Sequence, residues 1–424
     1  MKPVLKRIID SVTSLVVTGV AHFLKHSWKA SPQSLRLLVV KAICKLYASP
    51  RCGDTEGDEP IYVCGAYRSN SGLGQSVRLY ASRCEQQGKQ VVRVDVTKQM
   101  LQQDNYPAAF APAICLPGRG RVVIHANPPQ FQLVLSHLGK KFLQNKRVVG
   151  YWSWELDSVP AIWKDALCYV DSLEVPSTFV QHALQKVTTQ DVICVPHKIS
   201  PPERTKNEWA KGGIIRCLFI FDAGSSWERK NPYAVVEAFK KAFSAHTAEL
   251  TFKITNAAAD KVKFVAFKKL CNDIAGVRIL TDDISPDEME NLYLQHDIYI
   301  SLHRSEGYGL TIQEALHYGL YVLATGWSGN IDFMQGERCH LVPFQLVRAN
   351  MNYGAYKGLN VIWAEADTTA AADILQKLRK DILEHYAIDV RLTSKKNVQN
   401  LTKMCYKNSS QVLVTQGDFG HEFS

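Results

Sequence analysis

Two glutamates bracket a Gly-Tyr-Gly turn in the segment Ser305-Glu306-Gly307-Tyr308-Gly309-Leu310-Thr311-Ile312-Gln313-Glu314-Ala315. A carboxylate accepts paired hydrogen bonds from vicinal hydroxyls. Two such groups about a diphosphate's length apart suit one sugar and one ribose. The glycines let the backbone turn tightly at the end of the apolar run Ile298–Leu302. The helix that follows offers free N–H groups and the positive end of its dipole, which suits a diphosphate. An E-x7-E spacing alone reads as two solvated glutamates. The glycines between the acids, and the strand ahead of them, turn the reading toward a ligand.

A second strand end carries cations, in Phe221-Asp222-Ala223-Gly224-Ser225-Ser226-Trp227-Glu228-Arg229-Lys230-Asn231-Pro232. Arg229 and Lys230 stand just ahead of a helix that Pro232 opens. Cations beside a helix's positive end are unfavourable unless an anion accounts for them. In the first half, Ser69-Asn70-Ser71-Gly72-Leu73-Gly74-Gln75-Ser76 follows the run Ile61–Ala66 and opens a helix. A dinucleotide site would want a third glycine in register, and Gln75-Ser76-Val77 supplies none, although Asp95 ends the next strand. Ile124-His125-Ala126-Asn127 ends another apolar run. A lone histidine is more often structural, but the carboxyl end of a parallel strand is where such sheets bind ligands. The aromatics of Gly150-Tyr151-Trp152-Ser153-Trp154-Glu155 either stack on an acceptor or pack the core, and Trp154 and Glu155 are the acceptor candidates.

At Glu306–Ala315 the sequence resembles the retaining family-4 glycosyltransferases of the GT-B fold, whose second domain carries E-G-[FY]-G-L-x-x-x-E-A. The resemblance runs from about residue 60 to 385 and is strongest in the second half. It implies that Glu306 faces the donor sugar, that Gly307, Tyr308, Gly309 and Leu310 face the diphosphate, and that Glu314 binds the nucleotide ribose. Lys230 matches the family's diphosphate lysine. The family's arginine is absent, with Gly224 and Ser225 near its place, and Arg229 is the candidate substitute. Such cations stabilise charge on a leaving group. By the same resemblance Gly72 and Gly74 belong to a loop near the donor phosphates. His125 bonds the donor sugar near its reacting carbon, Ser328 lines the donor site, and Val175-Pro176-Ser177 is structural. The catalytic set is then His125, Glu306 and Lys230.

The expected reaction moves a hexose from a nucleotide diphosphate, with retention, to a hydroxyl of a glycan or lipid-linked oligosaccharide. GDP-mannose is favoured over a UDP-sugar, and bacterial polysaccharide or lipopolysaccharide biosynthesis is the expected setting. No D-x-D acidic pair, H-E-x-x-H or Ser/His/Asp arrangement stands out, so the expectation is no metal and no cofactor beyond the co-substrate. A GT-B epimerase or phosphorylase is one rival, and a non-catalytic module for anionic glycans or membranes is the other.

These residues need rigid elements to hold them. Apolar residues make up 46% of the 424-residue chain, enough for sizeable cores. Near-continuous apolar runs, the mark of parallel strands buried on both faces, fall at Ile61–Ala66, Val91–Val96, Arg121–Ala126, Arg147–Trp152, Ser172–Val175 and Asp191–Val195. After a polar stretch over 196–213, a second series falls at Arg216–Phe221, Leu250–Ile254, Val277–Leu280, Ile298–Leu302, Tyr321–Ala324 and His340–Val342. Helical stretches such as Gln75–Gln87 and Ala161–Tyr169 separate most of them. The pattern predicts an α/β chain of two Rossmann-like, doubly wound domains facing a cleft. An acceptor domain covers 60–197 and a donor domain 214–385. A helical segment over 386–424 returns to the first domain and ends in a loose tail.

Residues 1–50 read as a basic, amphipathic helical extension broken near Ser31-Pro32, followed by an acidic linker over Arg51–Pro60. The run Ser11–Leu24 is too short to span a bilayer, and no clean small-x-small cleavage site follows it. Peripheral contact with an anionic membrane is the expectation here, with packing on the fold as its competitor. The formal charge of +10 favours anionic partners, and no nucleic acid is expected. Eleven cysteines, an odd number without any C-x-x-C, argue against a zinc site or a disulfide framework and suit a reducing, cytoplasmic setting at the inner membrane face.

Overall fold

The computed structural model describes residues 33–49, 59–108, 118–349, 356 and 359–384. The run Ser11–Leu24, most of the acidic linker and the segment 386–424 lie outside them. The chain divides into two compact units. Of the described residues, the first holds those within 33–199, 306–310 and 348–362, and the second holds 200–305, 311–347 and 363–384.

The first unit is built on a parallel sheet of six strands in the order β2-β1-β3-β4-β5-β6. The strands are β1 (Ile61–Gly65), β2 (Val91–Asp95), β3 (Arg121–Ile124), β4 (Arg147–Tyr151), β5 (Ser172–Val175) and β6 (Val192–Cys194). Every residue of β1 is buried, as expected for a central strand covered on both faces. Val63, Val123 and Val149 share one core with Tyr67, Val77 and Tyr151. Each such buried aliphatic side chain contributes about 1.5–3 kcal/mol over its exposed state.

Helix α1 (Gln33–Tyr47) packs on α3 (Gln130–Leu143). Its buried stripe is Val40 and Cys44, with Ala48 just beyond, while Leu35, Leu38 and Leu46 stand 51, 64 and 69% exposed. The wide apolar face predicted for this helix is therefore split, one side on the fold and one side outward. Among the described residues no helix is long and apolar enough to cross a membrane.

The second unit carries a parallel sheet in the order β12-β11-β10-β7-β8-β9. Its strands are β7 (Ile215–Asp222), β8 (Ala248–Thr255), β9 (Val277–Leu280), β10 (Ile298–Ser301), β11 (Tyr321–Thr325) and β12 (Cys339–Val342). The core runs through Leu218, Phe252, Ile300 and Leu323, none of them exposed. A separate pair, β13 (Phe344–Ala349) with β14 (Val361–Ala366), was not legible in the sequence, because Gln345 and Arg348 break its apolar run.

Helix starts follow local chemistry. Ser71 caps α2 (Gly72–Gln86) by accepting from Gly74 N, and Ser177 caps α5 (Thr178–Gln185) by accepting from Val180 N. The short helices α4 (Lys164–Leu167) and α6 (Trp227–Lys230) precede longer stretches of structure. Pro232 opens α7 (Pro232–Ala242) at N1, where its missing N–H costs nothing. A capping box between Ser285 and Glu288 opens α9 (Pro286–Leu294), which follows α8 (Lys261–Asn272). Helix α10 (Leu310–His317) follows the Gly-Tyr-Gly turn, and 368–384 is helical.

Candidate functional site

In the first unit the predicted residues gather at the carboxyl ends of β1, β3 and β4. A Cβ on Gly74 would lie 2.1 Å from Ser69 O and 2.8 Å from Ala66 O, so only glycine lets α2 begin this close to the turn. A Cβ on Gly72 would meet nothing within 4 Å. The two glycines thus differ: packing demands Gly74, while Gly72 leaves backbone bare. Arg78 braces the turn, donating Nη1 to Tyr67 O at 2.8 Å and to Ser69 O at 2.9 Å, and its guanidinium lies 3.6 Å from the centre of the Tyr106 ring.

His125 directly follows β3. The register Cys64↔Ile124 and the bond from His125 N to Cys64 O (2.8 Å) bring it beside the end of β1. Its ring is fully buried, with Nδ1 3.0 Å from Ser76 Oγ. Tyr151 stacks on it at 4.2 Å and 13°, and Tyr80 meets it edge-on at 4.9 Å. Tyr151 is itself fixed, because its hydroxyl donates to Val195 O at 2.8 Å and lies 3.4 Å from His197 Nδ1. Burial pushes the His125 pKa well below 6.5, and nearby His197 adds to the effect. Burial likewise pushes His197 down to about 3.

Glu306–Leu310 counts with the first unit. Ser177 Oγ donates to Gly307 O at 2.6 Å. A Cβ on Gly307 would sit 2.7 Å from Trp154 O, so the turn lies flat on that backbone. Tyr308 turns inward, its hydroxyl donating to His197 O at 3.1 Å and its ring meeting that of His197 edge-on at 4.8 Å. Its side chain thus packs the unit. Gly309 has φ +99°, a conformation that favours glycine. Glu306 is 8% exposed.

Trp154, an acceptor candidate, packs within the first unit. It is 3% exposed, donates Nε1 to Ser158 O at 2.8 Å, and packs its ring on Trp163 (4.8 Å) and Tyr356 (5.7 Å). An indole whose N–H is already bonded inside and whose faces meet other aromatics has little surface left for a sugar. Glu155 beside it is half-buried.

In the second unit Arg229 turns inward. Read as a phosphate cation, it is 2% exposed and donates Nη1 to Ser305 O at 2.8 Å and Nη2 to Ser225 Oγ. Ser226 turns it inward by capping α6, accepting from Arg229 N at 3.2 Å. Arg304 completes the lock. Its fork grips Glu365 (Nε to Oε2 2.6 Å, Nη2 to Oε1 2.9 Å), its Nη1 donates to Glu228 O at 2.5 Å, and its N donates to Arg229 O at 2.7 Å. The two arginines hold 225–229 against 304–305. Lys230, half-buried, ends α6, and Asn231 follows in the left-handed region with φ +53°.

Glu314 lies in the second turn of α10, where Tyr293 OH donates to its Oε2 at 2.8 Å. Tyr293 is buried, so it sets the direction of the carboxylate. Ser328 adopts φ +76° and ψ −151° at 1% exposure, a backbone strain for a non-glycine residue of the kind that clusters at functional sites. Asn330 nearby donates Nδ2 to Thr325 O at 3.0 Å. Among the described residues, no three His, Cys, Asp or Glu side chains form a group able to hold a metal ion.

The sequence reading missed Ser76, Tyr151 and His197 around His125, Tyr293 behind Glu314, and the pair Arg304–Glu365. Ser76 sits 49 positions from its partner, and no spacing rule reports such a pair.

The model of the family described as Family 4 Glycosyltransferase in conflict systems matches residues 177–382. No curated protein matches the chain. Among solved structures, a glycosyltransferase from Rickettsia africae is similar at 16% identity and TM-score 0.48, with 82% of this chain and 99% of that one covered. WaaG, a glycosyltransferase involved in lipopolysaccharide biosynthesis, is similar at 16% identity and TM-score 0.48, covering 76% and 90%. The pneumococcal O-GlcNAc transferase GtfA, solved with UDP and GlcNAc, is similar at 14% identity and TM-score 0.42, covering 69% of this chain. The chain spans 57% of GtfA's length. The strand orders of the two sheets describe the fold of this chain by themselves.

Proposed function

We propose that the chain is a family-4 glycosyltransferase, as the family match over residues 177–382 supports, and that it moves a hexose from a nucleotide diphosphate donor to a hydroxyl acceptor, with retention. The observation that carries this reading is the family match across the Glu306–Glu314 segment, in which Tyr293 orients the Glu314 carboxylate. Glu306 would accept hydrogen bonds from the sugar, the backbone of 307–310 and Lys230 would meet the diphosphate, and Glu314 would bind the ribose. His125 would donate to the sugar, and Ser328 and Gly72 would lie along the donor.

Catalysis then rests on positioning and charge stabilisation, with the leaving diphosphate taking up the acceptor proton on the same face. No metal is required in this reading. GDP-mannose is the proposed donor, with a UDP-sugar second. The proposed acceptor is a glycan or lipid-linked oligosaccharide of bacterial polysaccharide assembly, reached from the cytoplasmic side. The outward row Leu35, Leu38 and Leu46, next to Lys45, would lie on an anionic membrane.

A thermal-shift panel of nucleoside diphosphates tests the reading, because a ligand at 100 times its Kd adds about 2.7 kcal/mol of stability. GDP or UDP should raise the melting temperature. No shift with any nucleoside diphosphate sinks the donor-site reading. Isomerised free nucleotide sugar, formed without acceptor, would point to an epimerase instead.

A further inference from the structure

The ring of His125 is held on three sides. Tyr151 covers one face, Tyr80 meets an edge, and Ser76 Oγ lies 3.0 Å from Nδ1. Its other nitrogen, Nε2, is buried and has no partner among the described residues. A half-turn of the ring would exchange Nδ1 for a carbon and lose the serine, so the stacked ring has one polar orientation.

The remaining question is where the protons sit. Ser76 is 1% exposed, and His125 Nδ1 is its hydroxyl's only partner among the described residues. Burial opposes the imidazolium, so the ring carries a single proton. If that proton were on Nδ1 and donated to Ser76, two buried groups would be left unmatched: the serine O–H and the lone pair of Nε2. If instead the serine donates to Nδ1, the serine lone pairs and the N–H on Nε2 are left, and that N–H is what an oxygen of a ligand would satisfy. An orphaned buried donor is rarer than an under-used acceptor, so leaving lone pairs rather than an O–H unmatched on Ser76 favours the second arrangement.

We infer that Ser76 is a positioning residue: its hydroxyl donates to Nδ1 and fixes His125 in the Nε2–H tautomer. His125 then acts as a neutral hydrogen-bond donor to an oxygen of the bound nucleotide sugar and takes no proton from the acceptor. The identity of that oxygen rests on the glycosyl-transfer reading, whereas the tautomer does not. The helix of Ser76 is well placed for the task, because the close approach of Gly74 to Ser69 O pins its first turn.

The test uses full-length protein labelled with ¹⁵N in its histidine rings, whose two-bond ¹H–¹⁵N correlations report the tautomer of each ring. The His125 signals are assigned by their loss in His125→Gln. The wild type should show the Nε2–H form, and Ser76→Ala should shift it toward Nδ1–H or a mixture. Ser76→Thr, which keeps a hydroxyl, should restore it. In a transfer assay Ser76→Ala should lower kcat about tenfold with KM little changed. A wild-type Nδ1–H tautomer, or an unchanged tautomer in Ser76→Ala, overturns the inference. Should the wild type turn over no nucleotide sugar, the glycosyl-transfer reading fails while the tautomer result still decides the role of Ser76.

Discussion

The two units present strand–turn–helix elements of the same plan and finish them with opposite chemistry. In the first unit the turn after β1 lies beside a neutral column of rings, His125 on Tyr151 with His197 beyond, joined by hydroxyl bonds. In the second the turn after β7 is locked by two guanidinium groups, with Arg229 on backbone and serine oxygens and Arg304 on Glu365. A histidine escapes the cost of burial by losing its proton, and an arginine does not. Arginine buried in a unit therefore needs acceptors, and Arg229 gives Nη1 to Ser305 O and Nη2 to Ser225 Oγ. The neutral column keeps one N–H in reserve.

Acid gives the largest contrast. His197 and His296 fold with pKa values near 3 and 4, in the first and second units respectively, and burial is the main cause for both. Their unfolded value is about 6.5, so the unfolded chain binds more protons below that pH. Stability is therefore full above about pH 6.5 and falls as the pH drops toward 4, by about 2 kcal/mol per histidine at pH 5. His125 shifts in the same direction. Chemical denaturation at pH 7.5 and pH 5 measures the loss. Equal stability at both would mean these rings fold charged.

Arg229→Met removes the guanidinium but keeps much of the stem. It should destabilise the protein by about 3 kcal/mol, since Ser305 O loses its buried partner. Calorimetry checks this. A normal melting temperature with weakened nucleotide binding would return Arg229 to the phosphate role and erase the contrast between the units.

Glu306→Gln preserves shape and removes the charge proposed to accept hydrogen bonds from the sugar hydroxyls. Transfer should fall by about two orders of magnitude while nucleoside diphosphate binding survives, because charged hydrogen bonds in closed sites are worth a few kcal/mol. Steady-state kinetics beside calorimetric titration separates the two effects, and near-normal turnover defeats the assignment.

Lys230→Ala should weaken a nucleoside diphosphate about tenfold and leave the bare nucleoside almost untouched. Equal weakening of both would show that Lys230 does not meet phosphate. Smallest of all is the expected effect of EDTA. Turnover should persist in excess chelator, and complete loss restored by Mg²⁺ or Mn²⁺ overturns metal-independent transfer.

Twelve apolar runs in the sequence match the twelve strands of the two sheets; central strands such as β1 and β10 are buried along their length, as a strand covered on both faces must be, and edge strands such as β2 and β9 are mostly half-buried. Caps and turns were legible for the same local reason: Pro232 opens its helix and Gly309 takes a positive φ within a few residues of the pattern that announces them. The E-G-Y-G-L segment likewise carries the resemblance to family-4 glycosyltransferases in consecutive residues. What the sequence could not decide was the fate of each side chain. Arg229 was read outward from its place at a helix start, and Trp154 was left between acceptor and core. Their partners, Ser305 for one and Trp163 and Tyr356 for the other, come from distant parts of the chain. Ser76 meets His125 only because β1 pairs with β3 in the register Cys64↔Ile124, which sets the end of one strand beside the helix that follows the other. Hydrophobic period is a property of neighbours along the chain, whereas a hydrogen-bond partner is a property of neighbours in space, and only the tertiary structure supplies those.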